Sequence, residues 1–180
     1  MLRGLINMDK FVSGKNINLR DITVEDAEFV LSLRTDENKS RFLHKNDPDL
    51  QKQIEYIRSY IGRDDQWYFI ITDKSGRQLG TVRIYDVINN DDFCWGSWLI
   101  IDDAPRTTAM ESALLIYDYA FGKLGFTKCH FDVRRGNVRV QRFHEMMGAR
   151  RTGETDLDVL YEYSRDEYMS HATKLWETIK

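Results

Sequence analysis

Residues 100–125, reading IIDDAPRTTAMESALLIYDYAFGKLG, constrain this chain more than any other stretch. An apolar strand ends, turns through an acidic loop containing a proline, and becomes a long amphipathic helix. Ala113, Leu114, Ile116, Tyr117, Ala120, Phe121 and Leu124 recur at helical spacing, Pro105, Arg106, Thr107 and Thr108 crowd the start of that pattern, and Gly125 caps its end. A helix N-terminus placed after a strand leaves about four backbone N–H groups without intrahelical partners, beside a partial positive charge. That corner suits a phosphate or a carboxylate.

Composition narrows what the corner can serve. The 180 residues fit one domain over 1–180, large enough to bury a core without staples. With 26 basic and 29 acidic residues the net charge is −3, which gives no global attraction for nucleic acid or an anionic membrane. No apolar run approaches the roughly 20 residues that span a bilayer. Cys94 and Cys129 lie in strand-like runs with no second cysteine at a metal or redox spacing, and no secretory segment is seen. A reduced, cytoplasmic protein is expected.

Along the chain, residues 1–13 form a mixed lead-in, and 15–20 (KNINLR) alternate as a half-buried strand. Thr23, with Asp26 three residues on, opens a helix through Ala27, Val30, Leu31 and Leu33. Residues 34–50 are polar and irregular, with Asn38, Lys39, Arg41, His44 and Asp47-Pro48; the stretch reads as a substrate wall or as a plain surface loop. A second helix over 49–61 stops at Gly62. Strands at 67–72, 78–87 and 92–101 form a meander in which Gly96 offers a bulge or a close ligand. Alternation puts Phe93, Trp95, Ser97 and Leu99 on one face, and Cys94, Gly96 and Trp98 on the other. Aromatics at 67, 68, 85, 95 and 98 would border a cleft there, as core or as a wall for a sugar or nucleotide ring. After the long helix come a strand at 128–134, a short helix from Asn137 to Gly148, two strands within 149–164 and a closing helix over 166–180.

This order, and two segments within it, resemble the GCN5-related N-acetyltransferase superfamily over residues 15–164. The family's pyrophosphate loop reads Gln/Arg-x-x-Gly-x-Gly/Ala; here Ala104, Thr107 and Ala109 occupy its fixed positions and only Ala109 agrees. Asn137-Val138-Arg139-Val140-Gln141-Arg142-Phe143-His144-Glu145-Met146-Met147-Gly148-Ala149 is similar to the family's Asn-x-x-Ala/Ser-x-x-x-Tyr-x-x-x-Gly-Phe ending, with Asn137 and Gly148 in place. The resemblance implies an α/β (α+β) fold with a central, mostly antiparallel mixed sheet, splayed central strands and helices on both faces.

It also implies acetyl-CoA as cosubstrate. Trp98, Leu99, Ile100 and Ile101 would line the cofactor, backbone N–H groups near Leu99 and Ile100 would polarise the acetyl carbonyl, and Arg106, Thr107, Thr108, Ala109 and Met110 would hold the pyrophosphate. Asn137 would bond the pantetheine arm, or simply cap its own helix. His144 replaces the tyrosine that protonates the departing thiolate in many members; an imidazole can do this near neutral pH, or merely line the cleft. His44, His130 and His171 have no companion at metal-ligand spacing, so no metal is expected. The base is open among Asp132, Glu111 and a held water, with Glu111 better explained as a first-turn acid. The acceptor is read as a small-molecule primary amine, with an amino sugar or nucleotide-linked amino sugar preferred. A protein amine of the ribosomal-protein type, or a non-catalytic acyl-CoA-binding module, are the alternatives. Pairing of chains into a homodimer through a strand edge stays open.

Overall fold

The computed structural model describes residues 10–40 and 48–180. Its strands are β1 (Phe11–Ser13), β2 (Ile17–Asp21), β3 (Trp67–Asp73), β4 (Gln78–Ile88), β5 (Asp92–Ile100), β6 (Lys128–Arg134), β7 (Arg150–Glu154) and β8 (Asp158–Ser164). Its helices are α1 (Ala27–Thr35), α2 (Glu37–Ser40), α3 (Leu50–Tyr60), α4 (Thr108–Tyr117), α5 (Val138–Met147) and α6 (Arg165–Glu177), and α4 runs on in wider π-type turns over Asp118–Leu124. The strands form one sheet in the order β1-β2-β3-β4-β5-β6-β8-β7. Only β5 and β6 run parallel, and they pair at just Asp92–Lys128 and Phe93–Cys129 before separating. β6 then follows β8 along its whole length.

The periodicities explain the layers. On one face, Val30 of α1 and Ile57 and Tyr60 of α3 pack on Tyr68 and Ile70 of β3. On the other, α4 buries Ala113, Leu114, Leu115, Ile116 and Tyr117 against β4, β5 and β6. Local chemistry sets the ends. Asp49 accepts the Lys52 N–H to start α3, Ser164 and Glu167 cap α6 reciprocally, and Gly125 takes the left-handed conformation (φ 80°) that ends the α4 segment.

Two expectations change. The lead-in contains β1, held because the Glu111 carboxylate of α4 accepts the N–H groups of Asn16 (2.7 Å) and Ile17 (3.3 Å) at the β1–β2 turn. The 34–50 connection is not wholly irregular: α1 reaches Thr35 and α2 follows it, with Asp36 accepting the N–H groups of Asn38 and Lys39. The readings of Arg41, His44 and Asp47 lie outside the described residues.

Candidate active site

The strict alternation expected along β5 fails at one point. Thr81 pairs with Leu99 but Arg83 pairs with Gly96, so Ser97 and Trp98 together oppose Val82 in a bulge. Ser97 pays for it with a left-handed backbone (φ 48°), and its carbonyl is pinned by the Thr81 hydroxyl at 2.7 Å. The extra residue flips the phase, so Trp98 shares the α4 face with Trp95. Their rings are 5.3 Å apart, and they donate to Ser112 and Tyr117 of α4, both at 3.0 Å. The expected grouping of Trp98 with Cys94 and Gly96 is thereby corrected.

Beyond the bulge, the Ile101 N–H bonds the Leu79 carbonyl at 2.9 Å. In an antiparallel ladder alternate residues turn their N–H groups toward the same neighbour, so Leu99 also faces β4. Ile100 and Trp98 face the opposite way, into the gap that β6 leaves. Of the N–H groups expected near Leu99 and Ile100, those of Ile100 and Trp98 are thus the ones turned to the gap, while Leu99 is buried and lines no part of it.

The gap holds a cavity of about 440 Å³ that crosses the sheet. Trp95, Trp98, Phe131 and His144 line its α4 side; Tyr85, Gly96 and Asp132 line the α1/α3 side, and Asn137 its end. Trp98 and Val140 also border a second groove of about 720 Å³, which runs past Ile100 and Ile101 to Ala104, Arg106 and Ala109 at the start of α4 and to Arg139 on α5. The Arg106 and Thr107 N–H groups make no hydrogen bond within the described residues. The two hollows adjoin at Trp98 and Val140; Arg106 and Arg139 stand at one end beside the Lys39-paired Asp102, and Asp132 at the other beside the Asp158-paired Arg134.

A family model described as an acetyltransferase (GNAT) domain matches residues 16–150. The chain belongs to the GNAT acetyltransferases. Apo FdhC, described as a nucleotide-linked sugar GNAT, is 35% identical, with a TM-score of 0.83 over 91% of this chain and 95% of that one. A GCN5-related N-acetyltransferase from Brucella melitensis is 18% identical (TM-score 0.77, covering 94% and 85%). Spermidine N-acetyltransferase from Vibrio cholerae, solved with CoA and spermine, is 15% identical (TM-score 0.77, covering 87% and 99%). These last two share the fold alone. Curated protein sequences give no match. Among the described residues no helix is long and apolar enough to cross a membrane, and no cluster of ligands could hold a metal ion.

The GNAT channel sorts the residues singled out in the sequence. Trp98, Ile100, Ile101, Arg106, Ala109, Asn137 and His144 border it. Asn137 does not cap α5 with its side chain, which leaves its amide available to the cavity. Thr107 contributes a free N–H, but its hydroxyl makes no cap. Thr108 is wholly buried with its hydroxyl unpartnered, and Met110 packs against the core, so neither side chain reaches the groove. Glu111 is fully buried beneath the β1–β2 turn and is excluded as a base.

His144 differs most from expectation. Its imidazole is boxed by Phe131 (4.3 Å between centroids), Trp95 (5.3 Å) and Phe143 (5.6 Å), and its Nδ1 has neither solvent nor partner. Burial pushes its pKa down to about 3. A neutral ring cannot deliver a proton as an imidazolium acid at neutral pH. Since an orphaned buried N–H costs more than an orphaned acceptor, we assign the proton to Nε2. His144 is then a neutral hydrogen-bond donor at the cavity wall.

Across the sheet, Asp132 is exposed and has no hydrogen bond or ion pair within the described residues. Cys94 stands nearby, its thiol pushed up to about 12, chiefly by burial, and so remains protonated. Arg83, which the sequence reading passed over, stands beside Tyr85. The available signal was a single basic residue in the middle of β4, between Val82 and Ile84.

Proposed function

We propose that this GNAT chain transfers an acetyl group from acetyl-CoA to the primary amine of a nucleotide-linked amino sugar. The carrying observation is the pair of adjoining hollows through the sheet, with Arg106, Arg139 and N–H groups unbonded among the described residues at one end and the Asp132 carboxylate, likewise without a partner among them, at the other. The corner fits the cofactor without the usual glycines, because the donors there are backbone groups of Arg106 and Thr107 and two guanidinium side chains. Acetyl-CoA, when bound, supplies the thioester whose acetyl group is transferred. The similarity to a nucleotide-linked sugar GNAT supports the acceptor.

Each end has a task. The Asp132 carboxylate attracts the acceptor's ammonium and accepts its proton, directly or through water, which frees the nitrogen lone pair. The N–H groups of Ile100 and Trp98, turned to the splay, would donate to the oxygen of an acyl group held there. The aromatic box excludes water, and the His144 Nε2–H faces a departing thiolate with a neutral donor. Proton delivery to that sulfur falls to solvent or to the proton released by the amine.

A thiol-release assay with acetyl-CoA tests this against nucleoside-diphosphate amino sugars, free amino sugars, spermidine and short peptides. The highest kcat/KM is expected for a nucleotide-linked amino sugar. Turnover of spermidine or peptides with none for any amino sugar would overturn the reading.

A further inference from the structure

Transfer to a plain amine leaves Arg83 unexplained. It projects from β4 beside Tyr85, opposite Gly96, at the foot of the wall that α1 and α3 build over β3. Among the described residues its guanidinium donates only to neutral acceptors, the Tyr56 hydroxyl of α3 and the Gln66 side-chain carbonyl. Its Nε is shut off from solvent with no partner. Among the described residues no carboxylate pairs with it; Asp65, whose charge it feels, is forked onto Arg63 at 2.6 Å. Phenol rings stand on several sides, with centroids 5.6 Å (Tyr56), 5.8 Å (Tyr68) and 5.1 Å (Tyr85) from the guanidinium carbon. Arg34, at the end of α1, brings a second positive charge to bear on Tyr68.

A half-buried guanidinium normally carries a carboxylate with it, because an uncompensated charge away from water is costly. Cation–π contacts offset part of that cost and leave the charge unneutralised. The planar fork of arginine matches the oxygens of a phosphate, and flat phenol faces beside it suit a ring. The opposite charge lies across Tyr85. That phenol's pKa is raised mainly by burial, with Asp132 adding to the rise and Arg83 opposing it, so the hydroxyl feels both groups. Tyr85, which lines the cavity together with Asp132 and the Asp158-paired Arg134, therefore stands on the α1/α3 face between a carboxylate at Asp132 and the Arg83 cation just beyond the lining.

We propose that Arg83, framed by Tyr56, Tyr68 and Tyr85, is the phosphate subsite of the acceptor, which is a phosphorylated amino sugar lying with its ammonium at Asp132 and its phosphate at Arg83. This rests on the amino-sugar reading above and narrows it. A polyamine, cationic at every nitrogen, meets repulsion at Arg83. An unphosphorylated sugar leaves the guanidinium uncompensated.

The test compares kcat/KM for a nucleoside-diphosphate amino sugar, an amino-sugar 1-phosphate and the unphosphorylated amino sugar in the wild type, Arg83→Gln and Arg83→Lys. The wild type is expected to favour the phosphorylated acceptors by about tenfold to a hundredfold, as one charge-assisted contact supplies. Arg83→Gln brings that ratio close to one, through KM, and Arg83→Lys falls between. A wild-type ratio near one, or a ratio that Arg83→Gln leaves intact, overturns the subsite. Calorimetric titration with uridine and thymidine diphosphates separates the two readings. If no amino sugar is acetylated, the acceptor assignment fails, and the subsite still stands or falls on whether Arg83→Gln weakens diphosphate binding at least tenfold. Far-UV circular dichroism confirms folding, and if Arg83→Gln does not fold, Arg83→Lys, which keeps the charge and loses the fork, decides with a smaller drop.

Discussion

The imidazole of His144 lies against the ring of Phe131 with centroids 4.3 Å apart, so the residue in the position of the family's usual acid is held in a nonpolar box. In the proposed reaction it can therefore offer a neutral N–H and not a transferable proton. Replacing it by phenylalanine is expected to lower kcat by about tenfold to a hundredfold, the order of one oriented donor. The loss should be even between pH 6 and 9, with little change in the KM for acetyl-CoA. A pH–rate profile checks this, and loss of an alkaline limb in the His144→Phe profile would restore the acid role.

Two histidines tie stability to pH with opposite sign. His144 is neutral in the fold with a pKa near 3, so the unfolded chain binds its proton first. Stability drains as pH falls below about 6.5, by roughly 2–3 kcal/mol at pH 4.5. His130 bridges Asp92 (2.8 Å) and Asp86 (3.1 Å); burial works against its charge, but those hydrogen bonds outweigh it and its pKa is raised. Its contribution is complete below its unfolded pKa and is lost as pH rises through the folded one. Thermal melts should show His130→Gln losing Tm at pH 5.5 and little at pH 8.5, and His144→Phe flattening the acid side. Parallel curves for wild type and variants would refute both assignments.

Arg106 stands beside Arg139 in the lining of the groove, with no partner among the described residues. Arg106→Ala should raise the acetyl-CoA Kd about tenfold, the worth of one exposed charge-assisted contact, while kcat at saturation changes by less than about twofold. Calorimetry and saturation kinetics read the two effects apart. An unchanged Kd would remove Arg106 from the phosphate corner.

Glu111 shows how a first-turn acid can serve the fold alone. Its carboxylate accepts the Asn16 and Ile17 N–H groups and the Asn16 amide (3.1 Å), stitching the β1–β2 turn onto α4. Glu111→Ala strands those donors and should cost about 2–4 kcal/mol. Glu111→Gln keeps one acceptor oxygen and should cost about half as much, with kcat retained. Loss of kcat in a folded Glu111→Gln enzyme would return the residue to the list of bases.

What the chain disclosed in advance follows from the range of the signal. Helices α1, α3, α4 and α5 and strands β3 to β6 announce themselves through local period and caps such as Asp49 and Gly125, so their order was legible. Gly96 marked a bulge in β5, but its place at Ser97 and Trp98 was not legible, because the register of β5 against β4 sets it and serine carries no mark of a left-handed backbone. That single residue reverses the face of Trp98 and turns the Leu99 N–H away from the gap. Glu111 and Arg83 were opaque for the same reason: their partners lie 95 and 27 positions away.

Gly80 gives the sharpest test of this geometry. A Cβ there would meet the Leu99 carbonyl oxygen at 2.2 Å and the Ile100 Cα at 3.1 Å. Both belong to the β5 backbone, so no side chain can swing aside. Gly80→Ala must push β5 away from β4 just where the Ile101–Leu79 hydrogen bond sets the direction of the Ile100 N–H. Such overpacking should cost about 3 kcal/mol and lower Tm by roughly 6–12 °C. Because the shift falls on the N–H proposed as an oxyanion donor, kcat should drop at least tenfold, more than the KM for acetyl-CoA changes. Gly122, where an added Cβ meets nothing within 4 Å, is the matched control, and Gly122→Ala should leave both Tm and kcat near wild type. A Gly80→Ala enzyme that melts and turns over like that control would show that β5 is not held against β4 in this register.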